Sequence, residues 1–346
     1  MALGAEQGMA GLPTITAVAQ VAGVSVATAS RALHGGGASA ATAERVRLVA
    51  EQLGYRPNAV ARALQGGTIG QIAMIVPDAA NPVYARMTSA VQHELAADDR
   101  HLLVAQAQDP ADVAAAIGRF GPSAIDGLIV VPLRPEQQVL EALDAARVPT
   151  VVIGSLPPTA VHGAVGADSR AGVQLAIDHL VAQGAQRIAF VNGPVDTTPG
   201  RMRLEGYRLA LDAAGMDFDP AHVVAADDFT HAAALPAIDA LLERSARSFD
   251  AIVAANDLIA FAALRVLSDA GIAVPGDCLV VGMDDTELAQ MAIPSLTSVD
   301  LGAEARGTLA AQQLLASLRG DADAISHATV VPRLVVRESS TRRDRP

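Results

Sequence analysis

From Thr68 onward, short apolar runs alternate with longer amphipathic stretches, and this alternation restricts the fold more than any other feature. "IGQIAMIVP" is followed by "NPVYARMTSAVQHELA", "HLLVAQ" by "PADVAAAIGRF" and "IDGLIVVP" by "PEQQVLEALDAA", before "PTVVIGS". The pattern resumes with "SRAGVQLAIDHLVAQG", "RIAFVNGP", "GRMRLEGYRLALDAAG" and onward to "CLVVGMDD". Brief apolar runs between helices of this length predict parallel sheets covered on both faces. The units are too many for one sheet, so the spacing predicts an α/β body of two doubly wound halves. Their boundary falls near Gly166, with a return crossing near Leu296. In such a body a ligand sits outside the carboxyl ends of the strands, in the cleft between the halves.

Residues 14–67 follow another rule. Val18, Ala22, Val24, Ala29 and Leu33 form one small apolar face across two short helices. Gly23 supplies the turn between them, and Ser25 is placed to cap the second. This is helix-turn-helix spacing. Val26, Ala27 and Arg31 project from the second helix, where arginine can read guanine and small apolar groups can touch a thymine methyl. Val46, Ala50 and Leu53 mark a third helix closed by Gly54. Many helical hairpins share the glycine and the apolar stripes, so the segment alone is equally compatible with a solvated helical corner.

Charge separates the two parts. The chain carries a formal net charge of −12, yet residues 14–67 hold five arginines (31, 45, 47, 56, 62) against Glu44 and Glu51. A basic module on an acidic body implies that only the module meets nucleic acid. All 25 basic residues are arginine, which fits a coding bias better than a function. The single cysteine, Cys278, excludes a disulfide within one chain. There is no charged leader before Arg31 and no apolar run of membrane-spanning length, so a cytoplasmic protein without a membrane partner is expected. The chain lacks a glycine-rich phosphate loop, a G-x-S-x-G elbow and metal-ligand spacing, which argues against an enzyme and against a cofactor or metal. His179, on an amphipathic helix, reads as structural, and the paired Asp284–Asp285 is insufficient for acid–base chemistry.

"TITAVAQVAGVSVATASRAL", "RVRLVAEQLGYRPNAVARAL", "GRMRLEGY", "VAANDLIAFAAL", "VVGMDDTELA" and "IPSLTSV" occur in that order across nearly the whole chain. They resemble the LacI/GalR family of bacterial transcription regulators. The resemblance implies a helix-turn-helix headpiece, a hinge helix and a two-lobed body like a periplasmic binding protein. The candidate DNA-contacting residues are Ser25, Val26, Ala27, Thr28, Ser30, Arg31, Asn58, Arg62 and Leu64, of which Thr28, Ser30 and Asn58 can donate to phosphates. Leu64 matches a hinge leucine that wedges into the minor groove, where unstacking is offset by a better-wrapped duplex. The matching effector-contacting positions are Tyr84, Asp168, Arg203, Phe229, Asn256 and Asp284. An arginine, an amide and a carboxylate together suit a polyhydroxylated ligand.

Some positions depart from the family pattern. Ala17 replaces the acidic residue that would complete a capping box with Thr14, His34 stands where asparagine is usual, and Ala43 replaces a basic residue. Gly154–Ser155 replaces a frequent Asp-Arg pair near the cleft. The implied domains are a tail at 1–13, a DNA-binding domain at 14–57, a hinge at 58–67 and an effector and dimerisation domain at 68–346. The lobes of the last are 68–166 with 297–327, and 167–296 with 328–346. The expectation is a homodimeric regulator, a repressor, that binds a pseudo-palindromic double-stranded operator and responds to a small metabolite. A sugar is the favoured effector, a nucleobase-type corepressor the alternative, and a two-lobed solute-binding protein the alternative from another class.

Overall fold

The structure is a computed structural model and describes residues 13–33, 37–55, 68–156, 162–245, 247–321 and 326–342. The chain divides into two compact units, Met1–Ile69 and Gly70–Pro346.

The first unit contains helices α1 (Ile15–Ala22), α2 (Val26–Leu33) and α3 (Ala40–Leu53). Each is started by a hydroxyl three residues ahead of the amide it caps. Thr14 accepts from the Ala17 N–H at 3.3 Å, Ser25 from Thr28 at 3.1 Å and Ser39 from Thr42 at 3.3 Å. The cap at Thr14 therefore works without the acidic partner missing at Ala17. Gly23 and Gly54 close α1 and α3 at φ +67° and +64°, a left-handed conformation that suits glycine. The core is small: Val18, Ala19, Ala22, Ala29, Ala32, Val46 and Ala50 are buried, and Val24 and Leu33 pack against them. Leu53, expected on the inner stripe of α3, is instead exposed. It is the last residue of α3.

The second unit holds two six-stranded sheets. The first runs β11-β5-β4-β3-β1-β2 and the second β12-β10-β9-β8-β6-β7. In the first, β1 (Gln71–Val76), β2 (His101–Gln106), β3 (Gly127–Val130), β4 (Thr150–Ile153), β5 (Gly163–Ala167) and β11 (His327–Val330) are all parallel. In the second, β6 (Ile188–Asn192), β7 (Val223–Ala225), β8 (Ala251–Ala254), β9 (Leu279–Met283) and β10 (Thr297–Asp300) are parallel, while β12 (Arg333–Val335) is antiparallel.

The period of two along each strand feeds separate cores on the two faces of its sheet. On β1, Ile72, Met74 and Val76 join one cluster and Ala73 and Ile75 another. On β6, Ala189 and Val191 face one core and Ile188 and Phe190 the other. Helices α4 (Pro82–Ala96), α5 (Pro110–Arg119), α6 (Gln137–Asp144) and α12 (Ala303–Leu318) serve the first sheet. Helices α7 (Ser169–Ala182), α8 (Thr198–Ala213), α9 (His231–Arg244), α10 (Asp257–Asp269) and α11 (Glu287–Met291) belong to the second.

The chain crosses between the lobes three times. The first crossing, at Asp168, lies close to the expected boundary at Gly166. The second differs from the expected return at Leu296, because Thr297–Asp300 is an inner strand of the second sheet, paired with both β9 and β12. The crossing follows it, at Leu301–Gly302. The third falls between β11 and β12, so His327–Val330 belongs wholly to the first lobe. "TSVD" has no apolar run to assign it; its burial comes from neighbours on both sides.

Candidate functional site

In the first unit, the capping hydroxyl of Ser25 starts α2, and the exposed side chains Val26, Ala27 and Arg31 follow it on that helix. Thr28 and Ser30 are partly exposed. The Arg31 Nε donates to the Ala27 carbonyl at 3.2 Å, which lays the arginine along the helix beside Ala27. Small side chains flanked by an arginine give a surface thin enough to approach a groove. Asn58, Arg62 and Leu64, with His34, lie outside the described residues.

In the second unit a cavity of about 380 Å³ opens between the lobes. Tyr84, Asp168, Arg203, Phe229, Asn256 and Asp284 all line it. Their convergence follows from the parallel topology: β7 ends at Ala225, four residues before Phe229, β8 at Ala254, two before Asn256, and β9 at Met283, immediately before Asp284. Tyr84 comes from the first turn of α4, Arg203 from α8, and Asp168 from the first crossing.

Two of these six also build the scaffold. Asn256 Oδ1 accepts the Ile259 N–H at 2.8 Å and caps α10, while its Nδ2 donates to the Phe229 carbonyl at 2.8 Å. Asp168 Oδ1 accepts the Ala171 N–H at 3.0 Å and caps α7. Their remaining lone pairs, and the second Nδ2 hydrogen of Asn256, are what they can offer a ligand.

Asp284 is held differently. It and Asp285 have φ of +98° and +46°, a conformation disfavoured for residues other than glycine. Hydrogen bonds hold this loop in place. Thr286 donates its N–H and hydroxyl to Asp257 Oδ2 at 2.7 and 2.8 Å, and the Asp285 N–H donates to Ser298 Oγ at 3.0 Å. From the first lobe, Arg86 donates to the carbonyls of Asp284 and Asp285 at 3.2 and 2.7 Å. Arg337 forms an ion pair with Asp285 at 2.6 Å. The Asp284 carboxylate itself has no hydrogen bond or ion pair among the described residues.

Arg203 is buried, its Nε has no hydrogen-bond partner, and its guanidinium lies 5.6 Å from the centre of the Phe229 ring. A second arginine, Arg306 on α12, also lines the cavity with an unpartnered buried Nε. Burial lowers the pKa of both guanidinium groups, against the opposing charge of Asp284. Burial likewise raises the Asp284 carboxyl above the usual carboxylate range, against the pull of Arg203 and Arg306. Asp257 is pushed up to about 7 by burial and by the charge of Asp284. Arg306 was not legible in the sequence. One signal for it exists in the structure: a Cβ on the adjacent Gly307 would lie 2.6 Å from the Met87 carbonyl. That glycine lets α12 close against α4, which brings Arg306 beside Tyr84.

A cavity between two doubly wound lobes, on a chain that begins with a helix-turn-helix, has clear counterparts among known proteins. The model of the bacterial regulatory proteins, lacI family, matches residues 14–58, and that of the periplasmic binding protein-like domain matches residues 177–340. The HTH-type transcriptional regulator CelR of Thermobifida fusca is 35% identical over 94% of this chain and 98% of its own length. The chain belongs to the lacI family. The ribose operon repressor of Escherichia coli K12 is 30% identical over 88% of the chain and 92% of its own length. Among solved structures, the CelR–cellobiose complex matches with a TM-score of 0.72 at 34% identity, over 94% of this chain and 99% of that one. The Lac repressor dimer bound to operator and the anti-inducer ONPF matches with a TM-score of 0.86 at 25% identity, over 95% and 99%. This lacI-family member is thus a DNA-binding transcriptional regulator and not an enzyme, and the solute-binding alternative falls with that assignment. Among the described residues, no helix is long and apolar enough to cross a membrane.

Proposed function

We propose that this regulator acts in the cytoplasm as a homodimeric repressor whose hold on a pseudo-palindromic operator is set by a small carbohydrate bound in the body cavity. The observation that carries the reading is the convergence of Tyr84, Asp168, Arg203, Phe229, Asn256 and Asp284 on one cavity. Its polar groups suit vicinal hydroxyls, and Tyr84 and Phe229 add aromatic lining. The cellobiose named in the CelR complex supports a sugar over a nucleobase. In the same reading, Val26, Ala27 and Arg31 contact base edges while Ser25, Thr28, Ser30, Asn58 and Arg62 contact the backbone. Leu64 wedges the minor groove. The effector acts by favouring one arrangement of the lobes over another.

Selection of genomic fragments by the full-length protein, followed by titration of the selected operator with sugars, tests this reading. A short palindrome should be enriched, and a sugar should shift its affinity. Arg203→Ala and Asp284→Ala should keep operator binding and lose the shift. Leu64→Ala should weaken operator binding by about tenfold or more, because without the wedge the bent, better-wrapped duplex that offsets its unstacking cost is lost. A normal sugar response in both cavity variants would remove the cavity from the mechanism.

A further inference from the structure

The charges around the cavity do not balance. Asp284 feels three guanidinium groups, those of Arg203, Arg306 and Arg86, and one further carboxylate, that of Asp300, which also acts on Arg306. Asp300 is held by Arg333 at 3.0 Å and by the Gly302 N–H at 2.8 Å, and the buried Asp257, which also feels Asp284, accepts from Thr286 and Ser298. Asp285 is held by Arg337. Arg170, also at the cavity, is paired with Glu205 at 2.6 Å. Asp168 stands at the N-terminus of α7, where the helix dipole already opposes its charge. Of the cavity's charged groups, Arg203, Arg306 and Asp284 are then left without a hydrogen-bonded or ion-paired partner among the described residues, two cations against one anion. Arg203 and Arg306 each have a buried Nε without a partner.

A neutral sugar could hydrogen-bond to these arginines but would leave their excess charge desolvated and unpaired, an arrangement that costs far more than an unpaired polar group. An anion would resolve it, because guanidinium groups receive carboxylates and phosphates through paired, charge-assisted hydrogen bonds. We propose that the effector is an acidic carbohydrate whose carboxylate or phosphate is received by Arg203 and Arg306, while Asp284 accepts from its hydroxyls. This rests on the carbohydrate reading above and narrows it. Arg306 is then the residue that separates acidic from neutral sugars.

The test is calorimetry on the full-length protein with matched sets: glucose, glucuronate and glucose 6-phosphate; galactose, galacturonate and galactose 6-phosphate; cellobiose and cellobionate. The acidic member of at least one set should bind about ten- to a hundredfold more tightly than its neutral parent, the range expected for charge-assisted hydrogen bonds. Which acid wins distinguishes carboxylate from phosphate. Arg306→Met should abolish the preference and Arg306→Lys should keep part of it. Neutral parents binding as tightly as their acids would overturn this inference and leave the carbohydrate reading standing. Equal binding of the acid by wild type and a folded Arg306→Met would overturn it as well. No binding by any member would overturn both readings. The wild-type preference decides the matter even if the Arg306→Met variant does not fold.

Discussion

The headpiece and the cavity solve opposite problems. In helices α1–α3 the capping hydroxyls of Thr14, Ser25 and Ser39 find their partners three residues along the chain, and the outward side chains of α2 are left for a partner. At the cavity, polar groups arrive from segments more than two hundred residues apart, and Arg203 and Arg306 keep an unpartnered buried Nε. The headpiece needs only local order to present its surface. The cavity needs the whole body to hold groups that would otherwise repel or be solvated. The difference teaches where each region is fragile: the headpiece in its tiny core, the cavity in its supports.

The largest expected effect exploits the core. Val46 is completely buried among alanines and Val18. Val46→Asp would place a charge there with nothing to pair it, and a core this small has little stability to offset that cost. The first unit should unfold while the second keeps its melting transition. Hydrogen exchange resolved along the chain checks this: amides of α1–α3 should lose protection and those of the sheets should not. Retained protection in α1–α3 would break the contrast.

The same contrast explains what was legible in the sequence. Headpiece helices, caps and turns follow from spacing, because their determinants are neighbours. The two lobes follow from the alternation of runs; the cleft positions of Phe229, Asn256 and Asp284 come from the family resemblance, for which parallel strands sharing one carboxyl end supply the physical reason. The return crossing was misplaced because β10 has no apolar run and owes its place to pairing with β9 and β12. Arg306 was missed because an arginine on a helix reads as solvated; only the approach of α12 to α4 at Gly307 turns it inward. The dual roles of Asn256 and Asp168 as caps were equally hidden, since they depend on which side-chain atoms the fold occupies.

An intermediate effect tests the cavity's supports. Arg86 does not line the cavity but donates to the two carbonyls beside the Asp284 side chain. Arg86→Gln removes a charge-assisted contact worth about 1.5–3 kcal/mol in comparable settings. Effector affinity should fall by roughly tenfold, with operator binding in the absence of effector retained. Calorimetry with the effector identified by the sugar series checks it. Unchanged affinity would mean that Asp257 and Ser298 hold the loop unaided.

The smallest effect sharpens the comparison inside the headpiece itself. Ser25 and Ser39 make the same cap, each accepting an amide three residues on and each within 2.9 Å of the next threonine hydroxyl. Replacing either by alanine should lower the stability of the first unit by about 1 kcal/mol, the usual cost of a lost helix cap. Structurally the two variants are equivalent. Functionally they should not be, since Ser25 starts the helix that carries Val26, Ala27 and Arg31, while Ser39 starts α3. If Ser25 also contacts the DNA backbone, Ser25→Ala should weaken operator binding several-fold more than Ser39→Ala at matched stability and salt. Equal losses in the two variants would assign Ser25 to the cap alone and leave the contact surface to the residues that follow it.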